Sequence, residues 1–399
     1  MVSVEEAKQI LINAIQPLSV AIAINTADAL GHTLLENIYA PVHLPPFNQS
    51  NVDGYAVKFS CTNENKWKVV GEIKAGDNTE IQLNEGEAAR IFTGAMVPVD
   101  SDLVIMQERI IRSDDLIEYS STVPFRGGEN IRYKGMQINK GELAIEAGTV
   151  CSPAVIGFIA SLGIELIKVA RKPRITLVVT GNELKAPGTE LKAGNVYESN
   201  SLSLCSAVKA MGLNIDKTIF VKDDKQELEN AIREVFFASP DLLLVSGGIS
   251  VGDYDFVYEA LEVNGTVPLF YKVTQKPGKP LYFGKNKSTY VFGLPGNPGS
   301  ALSCFYEYIY PALRKLQGKE MCFLTNVFLP VKKPIAKKKG LALFLKAFAA
   351  VDSVEPLQGQ ESFKMKSFTD ANAFIYLQKD REDVSAGELV EVHLLPAYN

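Results

Sequence analysis

The sequence predicts a multidomain chain of the α/β-plus-β kind: a parallel α/β domain, a β-rich domain before it and a small β-barrel or sandwich after it. Three observations lead there. Between Arg174 and Leu316, strand-like apolar runs alternate with helical stretches of ten or so residues, the pattern of a parallel sheet covered by helices. From about residue 47 to 146, short β-type runs alternate with Gly, Asn and Asp turns. Residues 323–399 return to short strands broken by Gly and Pro.

The elements follow in order. Residues 4–40 read as helical, because Val4, Ala7, Ile10, Leu11 and Ile15 recur at three- and four-residue steps, and Pro45-Pro46 then breaks the chain. Trp67–Val70, Ala89–Phe92 and Leu103–Met106 are strands of the β-rich module. Ser152-Pro153 is an N-cap followed by proline at the first helical position, opening a short helix to Leu162. Ile175–Val179 is a strand, Asn200 caps a helix to Met211, Ile215–Val221 is a strand and Gln226–Phe237 a helix. Asp241–Val245 is a strand, Phe256–Val263 a helix and Pro268–Val273 a strand; a hairpin through Gly284–Ser288 then leads to a long helix, Pro298–Leu316. No internal repeat or low-complexity tract interrupts this order.

Composition narrows the function. At 399 residues the chain has room for two to four domains, and 46% hydrophobic with 22% charged residues is ordinary for a globular protein. No apolar run approaches a bilayer span, and the acidic start Met1–Glu6 has no secretory pattern, so the cytoplasm is the expected location. A net charge of −5 and a pI near 5.5 argue against a general nucleic-acid binder. The basic run Lys332–Lys339 reads as a solvated turn between strands. Five cysteines, at 61, 151, 205, 304 and 322, form no C-x-x-C and fit a reducing compartment. His32, His43 and His393 are not at zinc spacing, and their scarcity disfavours a histidine base.

The chemistry gathers at one edge. Thr180–Glu183, Asp223-Asp224, Ser246–Asp255, Lys276–Pro280 and Leu294–Pro298 each follow a strand. In a parallel sheet the carboxyl ends of the strands share an edge, where ligands bind. Backbone amides of Gly247-Gly248, the cations Lys276 and Lys279, and the helix start at Asn297-Pro298 favour anions. Glu183, Asp223 and Asp255 come to the same edge and would repel an anion unless a cation lay between, a role that suits Mg²⁺. The pattern implies a phosphorylated, metal-bridged substrate. Singly, each feature has an ordinary explanation: a Ser-Gly-Gly turn, an Asp N-cap, surface lysines, a hairpin turn at Asp53–Tyr55. Such ordinary features have no reason to share an edge.

These residues carry a family resemblance over nearly the whole chain. Pro45–Val57, Arg90–Ala95, Arg126–Asn130 and the five edge loops match, in order and spacing, the MoeA family of molybdopterin molybdenumtransferases and the E domain of gephyrin. The resemblance implies four domains: 1–44 with 140–172, an inserted β-rich domain 45–139, an α/β domain 173–318 like the molybdopterin-adenylating fold, and a C-terminal barrel 319–399. It implies an elongated, L-shaped chain and a homodimer in which the inserted module of one subunit faces the α/β domain of the other. It also implies passing contacts with the adenylating enzyme and with later molybdoenzyme maturation. The substrates would be molybdate and adenylated molybdopterin, with Mg²⁺ as cofactor and AMP released. Carried over, the catalytic residues are Asp53, Thr93, Glu183, Lys276 and Lys279, and the metal ligands Glu183, Asp223 and Asp255. Gly247, Gly248, Ser250, Pro295, Asn297 and Pro298 make up the substrate-binding set.

Three stretches depart from the family pattern: Asn182 stands where Asp is usual, Asn48-Gln49 where Asp-Asn is, and Glu198-Ser199-Asn200 where Asp-Ser-Asn or Asp-Thr-Asn is. Cleaving an adenylate needs positioning and charge stabilisation more than covalent work. Mg²⁺ on the three carboxylates would neutralise phosphate, with the lysines and the helix start holding molybdate or the phosphates. An adenylyltransferase acting on molybdopterin is one alternative, opposed by the module 45–146 and the terminal barrel. A gephyrin-like scaffold is another, opposed by the intact carboxylates and lysines. Molybdate and tungstate are alike in charge and size, and the sequence does not separate them.

Overall fold

The structure is a computed structural model that describes residues 1–59, 65–78, 80–249 and 256–397. Its first helix, α1, spans Val4–Ala14. The Ser3 hydroxyl accepts from the Glu6 amide, and the Glu6 carboxylate accepts from the Ser3 amide at 2.7 Å, a reciprocal cap. The helix ends there and does not reach residue 40. Pro17 has no amide to donate, and Ile22 and Ile24 alternate at strand spacing within the strand Ala21–Asn25.

The chain divides into two compact units, one formed by residues 23–30 and 34–168, the other by 1–22, 31–33 and 169–399. The former is built on a six-stranded sheet of β1 (Gly54–Val57), β2 (Lys66–Ile73), β3 (Glu87–Ile91), β4 (Leu103–Met106), β5 (Ile110–Ser113) and β6 (Leu116–Tyr119), in the order β4-β1-β3-β2-β6-β5. Its two faces carry separate apolar clusters, one around Ile73, Ile91 and Val104, the other around Tyr55, Trp67 and Ile117. Gly54 is fixed by packing, since a Cβ there would lie 2.0 Å from the Ile105 carbonyl oxygen. Helix α2 (Pro153–Ser161) starts as its sequence predicts, with the Ser152 hydroxyl accepting from the Val155 amide and proline in the first turn.

The second unit holds the α/β domain: β7 (Ile175–Thr180), α3 (Asn200–Ala210), β8 (Lys217–Val221), α4 (Lys225–Ala238), β9 (Leu242–Ser246), α5 (Phe256–Val263), β10 (Val267–Tyr271), β11 (Tyr282–Asn286), β12 (Thr289–Leu294), then a long helix. The sheet order is β8-β7-β9-β12-β11-β10. It is mixed, not parallel throughout: β8, β7, β9 and β12 are parallel, whereas β11 is antiparallel to both neighbours. The cause is the two-residue turn Lys287-Ser288, with Lys287 at φ 50°, because strands joined this tightly pair antiparallel. β10 therefore runs with the parallel four, and its carboxyl end still faces their edge. One face packs against α1, α3 and the long helix through Leu11, Leu177, Leu204, Phe292 and Phe305; the other against α4 and α5 through Ile232, Val245 and Leu261.

The long helix has three parts, α6 (Pro298–Cys304), a π-helical turn at Phe305–Ile309 and α7 (Tyr310–Leu316). Pro311 explains the widening, since it cannot donate to the Glu307 carbonyl and its ring would collide with that group. The turn buries Glu307 between Lys8, 2.6 Å away, and His393 Nδ1 at 2.8 Å. The C-terminal strands β13 (Asn326–Pro330), β14 (Ala342–Ala349), β15 (Ala373–Leu377) and β16 (Leu389–Leu394) pair in the order β14-β15-β16-β13. The short strand Val354–Pro356 pairs with β14, and Val354 bridges Val331, which closes the set into a barrel around Ile375 and Val392. Lys337, in the basic run, is buried rather than solvated, and its ammonium donates to the carbonyls of Lys379 and Arg381. No helix among the described residues is long and apolar enough to cross a membrane.

Candidate active site

A cavity of about 550 Å³ opens at the carboxyl ends of β7, β9 and β12. Its floor depends on close backbone approach. Gly247 has φ +98°, and a Cβ there would lie 2.2 Å from the Thr180 carbonyl oxygen; Gly248 follows at φ +60°. Gly296 lies beside Gly247 with room to spare, since its Cβ would meet only the Gly247 Cα at 3.9 Å. Asn297 and Pro298, where α6 begins, line the cavity wall.

Glu183 and Asp223 also line the cavity. Asp223 is held from two sides: the Thr180 hydroxyl donates to one carboxylate oxygen and the Asn182 amide to the other at 3.3 Å. In return Asn182 Oδ1 accepts from the Asp223 amide at 3.2 Å. Among the described residues the Glu183 carboxylate has no hydrogen-bond or ion-pair partner, and it is exposed. Asn200 is the first residue of α3 rather than its cap. Its amide donates to Ser246 Oγ at 3.0 Å and to the Gly296 carbonyl at 2.9 Å, while its buried Oδ1 has no partner. Glu198 caps the helix instead, accepting from the Ser201 amide and hydroxyl.

The structure thus brings together Glu183, Asp223, Gly247, Gly248, Asn297 and Pro298. Lys276, Lys279 and Pro295 do not line this cavity. Both lysines are exposed: Lys276 lies in the two-residue strand Gln275–Lys276, which pairs with β14, and Lys279 on the loop that follows, which packs on α6, where a Cβ at Gly278 would meet Cys304 Sγ at 2.4 Å. Gln275 anchors that loop by donating to the Pro277 carbonyl and accepting from the Tyr308 hydroxyl. Ser250 and Asp255 lie outside the described residues. Asp53 and Thr93 belong to the other unit and touch each other: Asp53 Oδ1 accepts from the Thr93 amide at 2.8 Å and from its hydroxyl at 2.9 Å. Those two bonds, with Arg90 nearby, hold the Asp53 carboxyl below the usual carboxylate range.

Thr180 and Ser246 open two of the edge loops chosen from the sequence but were given no role of their own, and Ser362 was not singled out. Ser362 carried no signal: it lies 65 positions from Asn297, whose Nδ2 donates to its hydroxyl at 3.1 Å. Its carbonyl would be 2.7 Å from a Cβ at Gly299, so this barrel loop rests on the first turn of α6.

Comparison with known proteins identifies the family. Residues 2–163 match the MoeA N-terminal region (domain I and II), 176–315 a probable molybdopterin binding domain, and 329–395 the MoeA C-terminal region (domain IV). A molybdopterin molybdenumtransferase of Haemophilus influenzae is 34% identical over 386 residues, 93% of this chain and 94% of the relative. One from Staphylococcus epidermidis is 30% identical, over 94% of this chain and 91% of the relative. Two crystal structures of molybdopterin biosynthesis MoeA proteins from Pyrococcus horikoshii superpose with TM-scores of 0.82 and 0.83 at 31% and 26% identity, covering 100% and 99% of this chain and 100% of each of theirs. The chain belongs to the MoeA family of molybdopterin molybdenumtransferases.

Proposed function

We propose that this transferase of molybdenum cofactor biosynthesis takes molybdate and adenylated molybdopterin as substrates and inserts the metal with release of AMP. The observation that carries the reading is the cavity at the sheet edge, where Glu183 and Asp223 stand beside the Gly247-Gly248 backbone and the start of α6. The amides of that backbone and helix start attract the phosphate of the adenylate. Asn200 Oδ1, buried without a donor, is a ready acceptor for a substrate N–H or O–H. Lys276, in its short strand, and Lys279, on the loop packed on α6, supply positive charge for an oxyanion. Asp53, ionised and fixed by Thr93, offers a carboxylate in a single orientation.

The donor set fits magnesium. Among the described residues no three acidic, histidine or cysteine groups cluster as a closed metal cage. Of the three carboxylates lining the cavity, Glu198 is tied to Ser201, which leaves Asp223 and Glu183, the latter without a partner among the described residues, for an ion that keeps several waters and completes its shell with substrate phosphate. Glu183 and Asp223 would hold it, with Asp255 as the third ligand that the family pattern suggests. When bound, Mg²⁺ supplies charge neutralisation at the phosphate. The MoeA regions that flank the molybdopterin-binding stretch favour insertion over adenylation. We also propose that the working form is a homodimer, which sedimentation would test, and that it meets the adenylating enzyme transiently.

The test supplies adenylated molybdopterin, Mg²⁺ and either molybdate or tungstate, and follows AMP. Release that requires both oxyanion and divalent metal is expected. Release that continues without either overturns the reading.

A further inference from the structure

The two helices that begin at the active-site cavity, α3 and α6–α7, lead to a second cavity of about 230 Å³. It lies against the last turn of α3 and the second half of the long helix. Met211, Tyr306, Tyr310 and Pro396 give it an apolar and aromatic wall. Arg314 and Lys319 bring positive charge, and no lining residue is a carboxylate.

Neither cation is neutralised by a described acidic group. Arg314 donates Nε to the Met321 carbonyl at 2.7 Å, reaches the Tyr310 hydroxyl at 3.4 Å and lies over the Tyr310 ring at 5.6 Å, leaving further N–H groups free. The Lys319 ammonium has no hydrogen-bond or ion-pair acceptor among the described residues. Burial, with Arg314 and Lys172 as like charges nearby, lowers its pKa. Two half-buried cations side by side lose hydration and repel, and an anion between them removes both costs. A planar ring would fill the space between the tyrosines, Met211 and Pro396.

We propose that this cavity is a binding site for a small aromatic anion, a phosphorylated or carboxylated ring compound, separate from the active site. The ring lies against the Tyr306–Tyr310 wall and the anionic head bridges Arg314 and Lys319. Occupation raises the pKa of Lys319.

The test uses the full chain labelled with ¹³C at methionine methyl groups, because Met211 lines the site. Its signal is assigned with Met211→Leu. Phenyl phosphate, benzoate and inorganic phosphate are the probes. The Met211 signal should move with phenyl phosphate or benzoate with a Kd of about 1 mM or tighter, while Met106 and Met136 stay still. The tighter of the two identifies the head group. Lys319→Gln and Arg314→Gln should each weaken binding about ten-fold or more. Thermal melting shows that the variants are folded; Lys319→Gln removes no side-chain hydrogen bond among the described residues, whereas Arg314→Gln also loses the bond to the Met321 carbonyl, so the lysine variant is the cleaner of the two. A Met211 signal unmoved by every probe, or variants that bind like the wild type, overturns the site. Inorganic phosphate binding as tightly as the ring compounds overturns the aromatic ligand.

Discussion

Glu307 and His393 meet at 2.8 Å in the interior, one on the π-helical turn of the α/β domain and the other on strand β16 of the barrel. Lys8 on α1 completes the contact at 2.6 Å from Glu307, and Glu391 takes the other ring nitrogen of His393 at 3.1 Å. Burial alone would push the Glu307 carboxyl up, but Lys8 and His393 overcome it and hold it at about 2. Burial pulls His393 down, yet Glu307 and Glu391 leave it above its ordinary value of 6.5. Three sequence segments are thereby joined through one charge cluster.

The cluster gives stability a two-sided pH dependence. The Glu307 contribution is complete above the ordinary carboxylate value of 4.5 and is lost as pH falls toward about 2. The His393 contribution is complete below its ordinary value of 6.5 and is lost as pH rises through the raised one. Glu307→Gln should cost roughly 3 kcal/mol, because it removes the buried carboxylate that both the partly buried Lys8 and the buried His393 face. His393→Gln should flatten the alkaline limb alone. Calorimetry across pH checks both, and a variant with the wild-type alkaline slope would exclude the histidine.

Gly247→Ala should disable the enzyme through its backbone. The residue sits at φ +98°, and the added methyl would lie 2.2 Å from the Thr180 carbonyl oxygen. Strain and displacement together should cost about 2 kcal/mol or more. Gly296→Ala is the control, because its Cβ meets only the Gly247 Cα at an ordinary 3.9 Å. Denaturant melts of the two variants should differ accordingly, and equal stabilities would show that Gly247 is replaceable.

Lys346→Met should release the barrel loop that rests on α6. The Lys346 ammonium is buried and donates to the carbonyls of Gly359 and Lys364 at 2.8 and 2.9 Å, while the Gln360 side chain brackets its backbone. Removing it leaves those carbonyls unpaired, at about 1–3 kcal/mol. Amide exchange over 357–364 should quicken, and the KM for molybdate should rise more than kcat falls. Unaltered exchange would mean that other contacts hold the loop.

These relationships show what the sequence could reveal. The strand and helix alternation of the α/β domain was legible because each apolar run is local, and the edge loops followed from strand direction. The reading of 4–40 as one helix failed because a three- and four-residue stripe of apolar residues holds only to Ile15, beyond which Pro17 and the alternating isoleucines set a different period. The mixed sheet came from a turn of two residues, whose geometry outweighs the parallel pattern around it. Contacts such as Asn297 with Ser362, or Glu307 with His393, join residues 65 and 86 positions apart and leave no periodic trace. Buried lysines are equally hidden, since Lys337 and Lys346 look like surface charges until the carbonyls around them are seen.

Asn182→Asp should tighten the response to magnesium. Asn182 exchanges hydrogen bonds with Asp223, its amide donating to the carboxylate at 3.3 Å and its Oδ1 accepting from the Asp223 amide at 3.2 Å. An aspartate can keep both contacts, since the backbone amide is unchanged and a carboxylate oxygen also accepts. It adds a negative charge beside Asp223 and next to Glu183, which has no partner among the described residues. Without metal that charge repels Asp223, so the variant should melt lower, by an amount worth about 1 kcal/mol or less. With metal the same charge becomes an added ligand, and affinity rises with the charge of the donor set. The Mg²⁺ concentration giving half-maximal AMP release should fall about three- to ten-fold, and Mg²⁺ should raise the melting temperature more than in the wild type. The melting measurement needs no substrate, so it reports on the metal site even if turnover is limited elsewhere. If neither quantity responds to the substitution, Asn182 and Asp223 do not border the metal, and the magnesium assignment at this edge fails.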